Sequence, residues 1–208
     1  FTPVEGYPSI AEVRKEPHQQ YNIGGNWHTD HSYDQIPALG SMLYAKELPK
    51  VGGDTLFAGC AAAFDTLSEG MKSTLRSLRA VHSSRHVFGK SAAIPDDMAD
   101  LFGNADKALQ DAEHPVVIKH PLSGRETLYV NPGFTTRFVG WTEKESNSLL
   151  AFLYEHISRP EHTYRFQWSK GALAFWDNRA TWHLAVNDYP GETRLMHRIT
   201  IEGEPLEP

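Results

Sequence analysis

A chain of 208 residues with 40% apolar and 22% charged residues has enough material for one domain with a sizeable core, in the proportions of an ordinary globular protein. A net charge of −6 without any Lys/Arg cluster argues against a nucleic-acid-binding surface, and no apolar run approaches membrane-spanning length, so neither a nucleic acid nor a membrane is an expected partner. Cys60 is the single cysteine, which leaves no disulfide framework and no cysteine-based metal site; with no signal-peptide pattern, a reducing, cytoplasmic setting is expected.

Residues 1–25 mix Pro, Gly and polar residues without a period and read as loop. Residues 41–48 read as a strand, and Gly52-Gly53 is a turn signal before a strand at Thr55-Leu56-Phe57. Phe64, Leu67, Met71, Leu75 and Leu78 recur at helical spacing and predict one helix over 61–79. Residues 84–113 lack a sustained period, apart from a possible short helix at 96–111. So long a stretch reads as a binding loop or lid. Strands return at Pro115–Lys119, Thr127–Val130 and Tyr164–Trp168, where Tyr164, Phe166 and Trp168 alternate and read as core. Thr142-Glu143-Lys144-Glu145 is a capping box opening a helix whose buried face carries Leu149, Leu150, Leu153 and Ile157. Gly171–Trp176 reads as a buried strand, and Arg194–Ile201 alternates strictly, with Arg194, Met196, Arg198 and Thr200 on one face. Many short strands with few helices predict a mainly β fold with helical insertions, a double-stranded β-helix (jelly roll). We expect a single domain over 1–208.

The chemistry concentrates at His28-Thr29-Asp30. Two residues apart on an extended segment, an imidazole and a carboxylate point the same way. With one distant imidazole they complete a 2-His-1-carboxylate set, which suits non-haem Fe(II) and leaves coordination positions open. Alone, His-X-Asp is as well explained by a surface strand pair. The ordered set is far more specific: Asn26-Trp27-His28-Thr29-Asp30, Gly52-Gly53-Asp54-Thr55, Val130-Asn131-Pro132-Gly133-Phe134-Thr135-Thr136-Arg137, Trp176-Asp177-Asn178-Arg179, His183, Arg194 and Met196-His197-Arg198. Arg194 and Arg198 share a strand face. With few acidic residues at inward positions, they are expected to meet bound anions rather than interior carboxylates.

On those residues the chain resembles the taurine/2,4-D dioxygenase family of Fe(II)- and 2-oxoglutarate-dependent oxygenases, from about Asn26 to Gly203. The pattern looks closest to the taurine dioxygenase branch. The resemblance implies oxidative decarboxylation of 2-oxoglutarate by O2 coupled to hydroxylation of a small anionic substrate such as an alkyl sulfate, sulfonate or aryloxyalkanoate. It implies His28, Asp30 and His183 as iron ligands and Thr55 with Arg194 on the distal carboxylate of 2-oxoglutarate. It places Arg198 near an anionic substrate group and Phe88 and Phe134 as aromatic pocket walls. The backbone N–H of His31 would face the substrate anion, while its side chain turns away from the ligands. Trp27 and Trp176 are expected to build the hydrophobic shell of the metal site.

Two departures carry information. Taurine-specific members place polar residues a few positions before the metal motif, where this chain has Ile23 and Gly24. Only residues 1–27 precede His28, whereas the family has a substantial upstream segment, so part of the family domain is expected to lie outside this sequence. A homo-oligomer is the expected assembly. Two other readings use the same residues: a zinc hydrolase on the same three ligands, and a non-catalytic jelly-roll binding protein.

Overall fold

The computed structural model describes residues 3–89 and 109–208. The chain opens with β1 (Pro3–Val4) and β2 (Tyr7–Lys15), which corrects the loop expected over 1–25. Burial along β2 rises gradually from an exposed Tyr7 to a buried Lys15, so its sequence shows no alternation. Pairing makes it a strand: Val13 sits opposite Met196 and Lys15 opposite Arg194.

β3 (Gly40–Glu47) and β4 (Thr55–Gly59) form where expected, separated by Gly52 and Gly53, both at positive φ (84° and 71°). The single helix expected over 61–79 is two, α1 (Cys60–Asp65) and α2 (Glu69–Arg76). Thr66 ends the first, and the Ser68 side chain caps the second by accepting the Met71 N–H. Phe64, Leu67 and Leu75 nevertheless enter one core, with Met71 and Leu78 packed at its edge. Next come β5 (Arg79–Ser83) and α3 (Arg85–Phe88). Of the lid expected over 84–113, residues 90–108 lie outside the described residues, and with them most of the helix considered at 96–111.

β6 (Asp111–Pro115) and β7 (Val117–Lys119) divide the strand expected at 115–119, because the chain changes partner there, β6 pairing with β5 and β7 with β8 (Glu126–Leu128). β9 (Thr135–Phe138) and α4 (Glu143–Ile157) follow. The capping box of α4 is complete. Thr142 Oγ1 accepts the Glu145 N–H at 3.3 Å, and Glu145 Oε2 accepts the Thr142 N–H at 2.9 Å. β10 (Thr163–Phe166), β11 (Leu173–Asp177), β12 (Thr181–Ala185) and β13 (Arg194–Ile201) complete the chain. β11 is covered on one face only: Ala174 and Trp176 are buried, while Leu173 and Phe175 are 57% and 56% exposed. Tyr164 on β10 is likewise exposed rather than core.

Strands dominate and helices are few. One sheet runs β1-β2-β13-β3-β11, a second β10-β4-β12, and a third β6-β5-β9, with β7 and β8 paired separately. Leu43, Ala45, Ala174, Trp176 and Met196 of the five-stranded sheet pack against Phe57 of β4 and Phe166 of β10. Those two sheets therefore face each other, and β12 and β13 bring their inward side chains toward a common interior. A larger core joins α1, α2 and α4 to the small sheets through Phe64, Leu75, Phe138, Leu150, Leu153, Ile157 and Trp182. Leu153 is fully buried there, so Leu153→Ala should lower unfolding free energy by about 2–5 kcal/mol in urea denaturation through lost transfer energy and the cavity left behind. A loss below 1 kcal/mol would show that α4 does not carry this core.

Candidate metal centre

His28 and His183 face each other across an isolated antiparallel bridge. The His28 N–H donates to the His183 carbonyl at 3.1 Å, and the His183 N–H to the His28 carbonyl at 2.8 Å. Directly opposed residues share a face, so the two rings lie 4.1 Å apart between centroids. Asp30, two residues on, turns to the same side: Oδ1 is 3.6 Å from His28 Nε2 and Oδ2 3.7 Å from His183 Nε2. One ligand atom from each of the three lies within 4.8 Å of the others, the spacing that could hold a metal ion. His28 sits at this isolated bridge, on a short extended segment outside the regular strands.

Two glycines leave room for His28. A Cβ on Gly133 would stand 2.8 Å from His28 Cβ, and one on Gly24, at φ 77°, would stand 3.1 Å from His28 Cε1. His28 Nδ1 is 2.8 Å from the Asn26 carbonyl, so that nitrogen carries the proton and Nε2 keeps its lone pair. Burial is the main cause lowering the His28 pKa, and burial with the neighbouring His28 drives that of His183 well down. Both imidazoles are thereby held neutral. Burial pulls Asp30 the other way, but the charge of Arg198 and the hydrogen bond from Ser41 hold the carboxyl below its usual range. Neutral imidazoles and an ionised carboxylate are the forms that bind a metal.

Behind Asp30 runs a chain of hydrogen bonds that the sequence did not reveal. Ser41 Oγ donates to Asp30 Oδ2 at 2.7 Å, Asn178 Nδ2 reaches Ser41 Oγ at 3.5 Å, and Trp176 Nε1 donates to Asn178 Oδ1 at 2.9 Å. Asn178 lies in a quoted motif; Ser41 carried no signal at all. Trp176 also packs 4.6 Å from the His183 ring, as expected of the shell. Trp27 instead meets Trp182 in the main core, at 6.4 Å.

Arg194 is 4% exposed, and its Nε donates to the Gly53 carbonyl at 3.0 Å. Its Nη2 is buried without a hydrogen-bond partner among the described residues. Burial lowers its pKa, with Tyr189 and Asp54 partly opposing. Thr55 is 2% exposed, and its Oγ1 accepts from Trp168 Nε1 at 3.0 Å. The Arg194 guanidinium lies 5.8 Å from the centroid of the same indole. Trp168 thus belongs with Thr55 and Arg194 as well as with the core. A buried guanidinium with an unfilled N–H beside a buried hydroxyl is the donor set a carboxylate satisfies.

Arg198 departs from expectation. Its Nη2 lies 3.0 Å from Asp30 Oδ2, so it does meet an interior carboxylate, that of the candidate metal ligand.

Residues 2–200 match the family described as "Taurine catabolism dioxygenase TauD, TfdA family". The chain belongs to this family. It is similar to the "Alkylsulfatase" of Acinetobacter baylyi, at 38% identity over 86% of this chain and 57% of that protein. It is similar to the "Alpha-ketoglutarate-dependent sulfate ester dioxygenase" of Pseudomonas putida, at 37% identity over 86% of this chain and 60% of that protein. The structure superimposes on a crystal structure of a taurine dioxygenase from Burkholderia xenovorans with a TM-score of 0.79 and 34% identity, over 97% of this chain and 66% of the other. The chain therefore spans under two thirds of the length of the two curated relatives.

In this TauD/TfdA family member the remaining site residues form an aromatic wall beside His28. The Phe134 ring is 6.3 Å from His28 and 5.9 Å from Phe88. Tyr33, missed in the sequence, completes the wall at 4.8 Å from Phe134 and 6.1 Å from Phe88. Its position just beyond the metal motif was the only available signal. His31 has the one positive φ (59°) among described non-glycine residues, and its Nδ1 pairs with Asp34 Oδ2 at 2.9 Å. Its side chain is thus spent on Asp34. Ile23 offers no acceptor, and Gly24 abuts the His28 ring.

Gly133→Ala should push His28 out of register with Asp30. We expect Fe(II) affinity, measured anaerobically by calorimetry, to fall at least about tenfold, the scale of lost metal-ligand support. Unchanged affinity would show that the Gly133 contact does not set the ring.

Proposed function

We propose that this chain carries the active site of an Fe(II)- and 2-oxoglutarate-dependent dioxygenase that hydroxylates a small anionic substrate and releases succinate and CO2. The observation that carries this reading is the pairing of a His-Asp-His centre with the unfilled buried N–H of Arg194 beside Thr55. A zinc hydrolase on the same ligands would leave that donor pair without a role. The two facing sheets support a double-stranded β-helix as the fold. The family match over 2–200 supports one domain. No helix among the described residues is long and apolar enough to cross a membrane. A cytoplasmic location stays part of the proposal.

His28, Asp30 and His183 would hold the metal. With 2-oxoglutarate and O2 bound, Fe(II) supplies oxidative decarboxylation coupled to C–H hydroxylation. Thr55 and Arg194 would hold the distal carboxylate and so fix the cosubstrate's direction. Arg198, with the backbone N–H of His31, would receive the substrate anion, which then competes with Asp30 for the guanidinium. Phe134, Phe88 and Tyr33 would exclude water and contact the apolar part of the substrate.

Arg194→Ala should raise the KM for 2-oxoglutarate at least about tenfold, equivalent to about 1.4 kcal/mol. An unchanged KM would remove Arg194 from the cosubstrate site.

The substrate class follows from what the pocket lacks. Ile23 and Gly24 give an ammonium no acceptor, and burying one unpaired would cost several kcal/mol. Alkyl sulfates or simple sulfonates should therefore exceed taurine in kcat/KM for coupled succinate release, and Asp30→Ala should abolish release from all of them. Tightly coupled turnover of taurine with alkyl sulfates and simple sulfonates inert would overturn the substrate assignment.

A further inference from the structure

We propose that Trp168 is a positioning residue of the carboxylate pocket, orienting the Thr55 hydroxyl and the Arg194 guanidinium as a pair. This rests on the reading of Thr55 and Arg194 as the site of the distal carboxylate of 2-oxoglutarate. Trp168 follows β10, and its Nε1 donates to Thr55 Oγ1 at 3.0 Å. An indole N–H is only a donor, whereas a hydroxyl carries one proton and two lone pairs. Oγ1 is therefore the acceptor toward Trp168, and its own proton is directed elsewhere. Thr55 is 2% exposed, so bulk water is not its ready acceptor.

The same ring backs Arg194. The guanidinium carbon sits 5.8 Å from the indole centroid, within cation–π reach. Nε is occupied by the Gly53 carbonyl, and Nη2 is left buried and unfilled. One side chain thus fixes two donors, an O–H and an N–H, for the two oxygens of one carboxylate. Phe166 holds the indole in turn, edge to face at 4.7 Å. Were Trp168 only a packing residue, removing its N–H while keeping an aromatic ring would leave cosubstrate binding alone.

The test is anaerobic calorimetry of 2-oxoglutarate with the Fe(II)-loaded protein, alongside indole N–H resonances of isotope-labelled protein. Trp168→Phe should weaken 2-oxoglutarate binding about three- to tenfold, the range of one neutral hydrogen bond. Its KM for 2-oxoglutarate should rise by the same factor, with kcat at saturating cosubstrate close to wild type. Thr55→Val should shift the Trp168 Nε1–H resonance and speed its exchange with solvent, and Thr55→Ser should restore both. Adding Trp168→Phe to Thr55→Val should cost nothing further. Wild-type affinity in Trp168→Phe, or an unmoved resonance in Thr55→Val, overturns the positioning role, while Arg194→Ala still weakening the binding leaves the proposed function standing. Wild-type affinity in Arg194→Ala as well takes both readings down. If Trp168→Phe does not fold, the Thr55→Val and Thr55→Ser pair decides through the resonance and the affinity.

Discussion

Two backbone hydrogen bonds, exchanged between His28 and His183, set the geometry on which the rest of the site depends. An antiparallel pair that exchanges both bonds places its side chains on one face at fixed spacing, and Asp30 joins them through the two-residue repeat of extended chain. Every other adjustment serves that pair: Gly133 and Gly24 clear its flanks, and the Asn26 carbonyl selects the tautomer. The partners are far apart in sequence, so the centre exists only once β12 and the segment before Asp30 have docked. A metal bound there would stabilise that docking by mass action.

Charge is the second constraint. The interior keeps an ionised carboxylate, two neutral imidazoles and two arginines, each costly to bury alone. Asp30 is held ionised by Arg198 and Ser41. Arg194 has a carbonyl, an aromatic face and one unfilled donor, with no carboxylate within ion-pair distance among the described residues. The two arginines thus occupy different electrostatic situations on one strand face. One is balanced by the protein's own carboxylate, and the other is arranged as if for an anion from outside.

Where local sequence decides a structure, the sequence was readable. The capping box of α4 is a property of its own residues and appears as expected, and β13 forms over the expected Arg194–Ile201, its alternating burial clear at Arg194 and Met196 and gone by Thr200, which is exposed. Local too is the turn at Gly52-Gly53, whose positive φ angles only glycine adopts readily. β2 was hidden because its burial is graded along its length and its strand character comes from β13. The helix over 61–79 broke because Ser68 offers a cap that periodicity cannot see. At the site, His28, Asp30, His183, Thr55 and Arg194 could be named from motifs, and the structure brings the first three together and joins the last two through Trp168. Ser41, Tyr33 and Trp168 could not: a serine, a tyrosine or an alternating tryptophan has many bland uses, and only tertiary contact separates them. The pairing of Arg198 with Asp30 was missed because the acidic residue sits before β3, not on an inward strand position.

Arg194 and Arg198 lie four residues apart on β13, roughly 13 Å along an extended strand. β13 is flanked by β2 on one side and β3 on the other, so it cannot slide without breaking two ladders. On the reading proposed above, that strand is a ruler of fixed length between the two anion anchors. The distance from cosubstrate carboxylate to substrate anion is then not open to tuning. Changes in substrate scope would then fall to the side walls, at Gly24, Tyr33, Phe88 and Phe134, none of which lies in a β-strand. Fixed charge spacing on a clamped strand and adjustable shape on segments outside the sheets would let one scaffold serve substrates that differ in their apolar part while keeping the anion in one place.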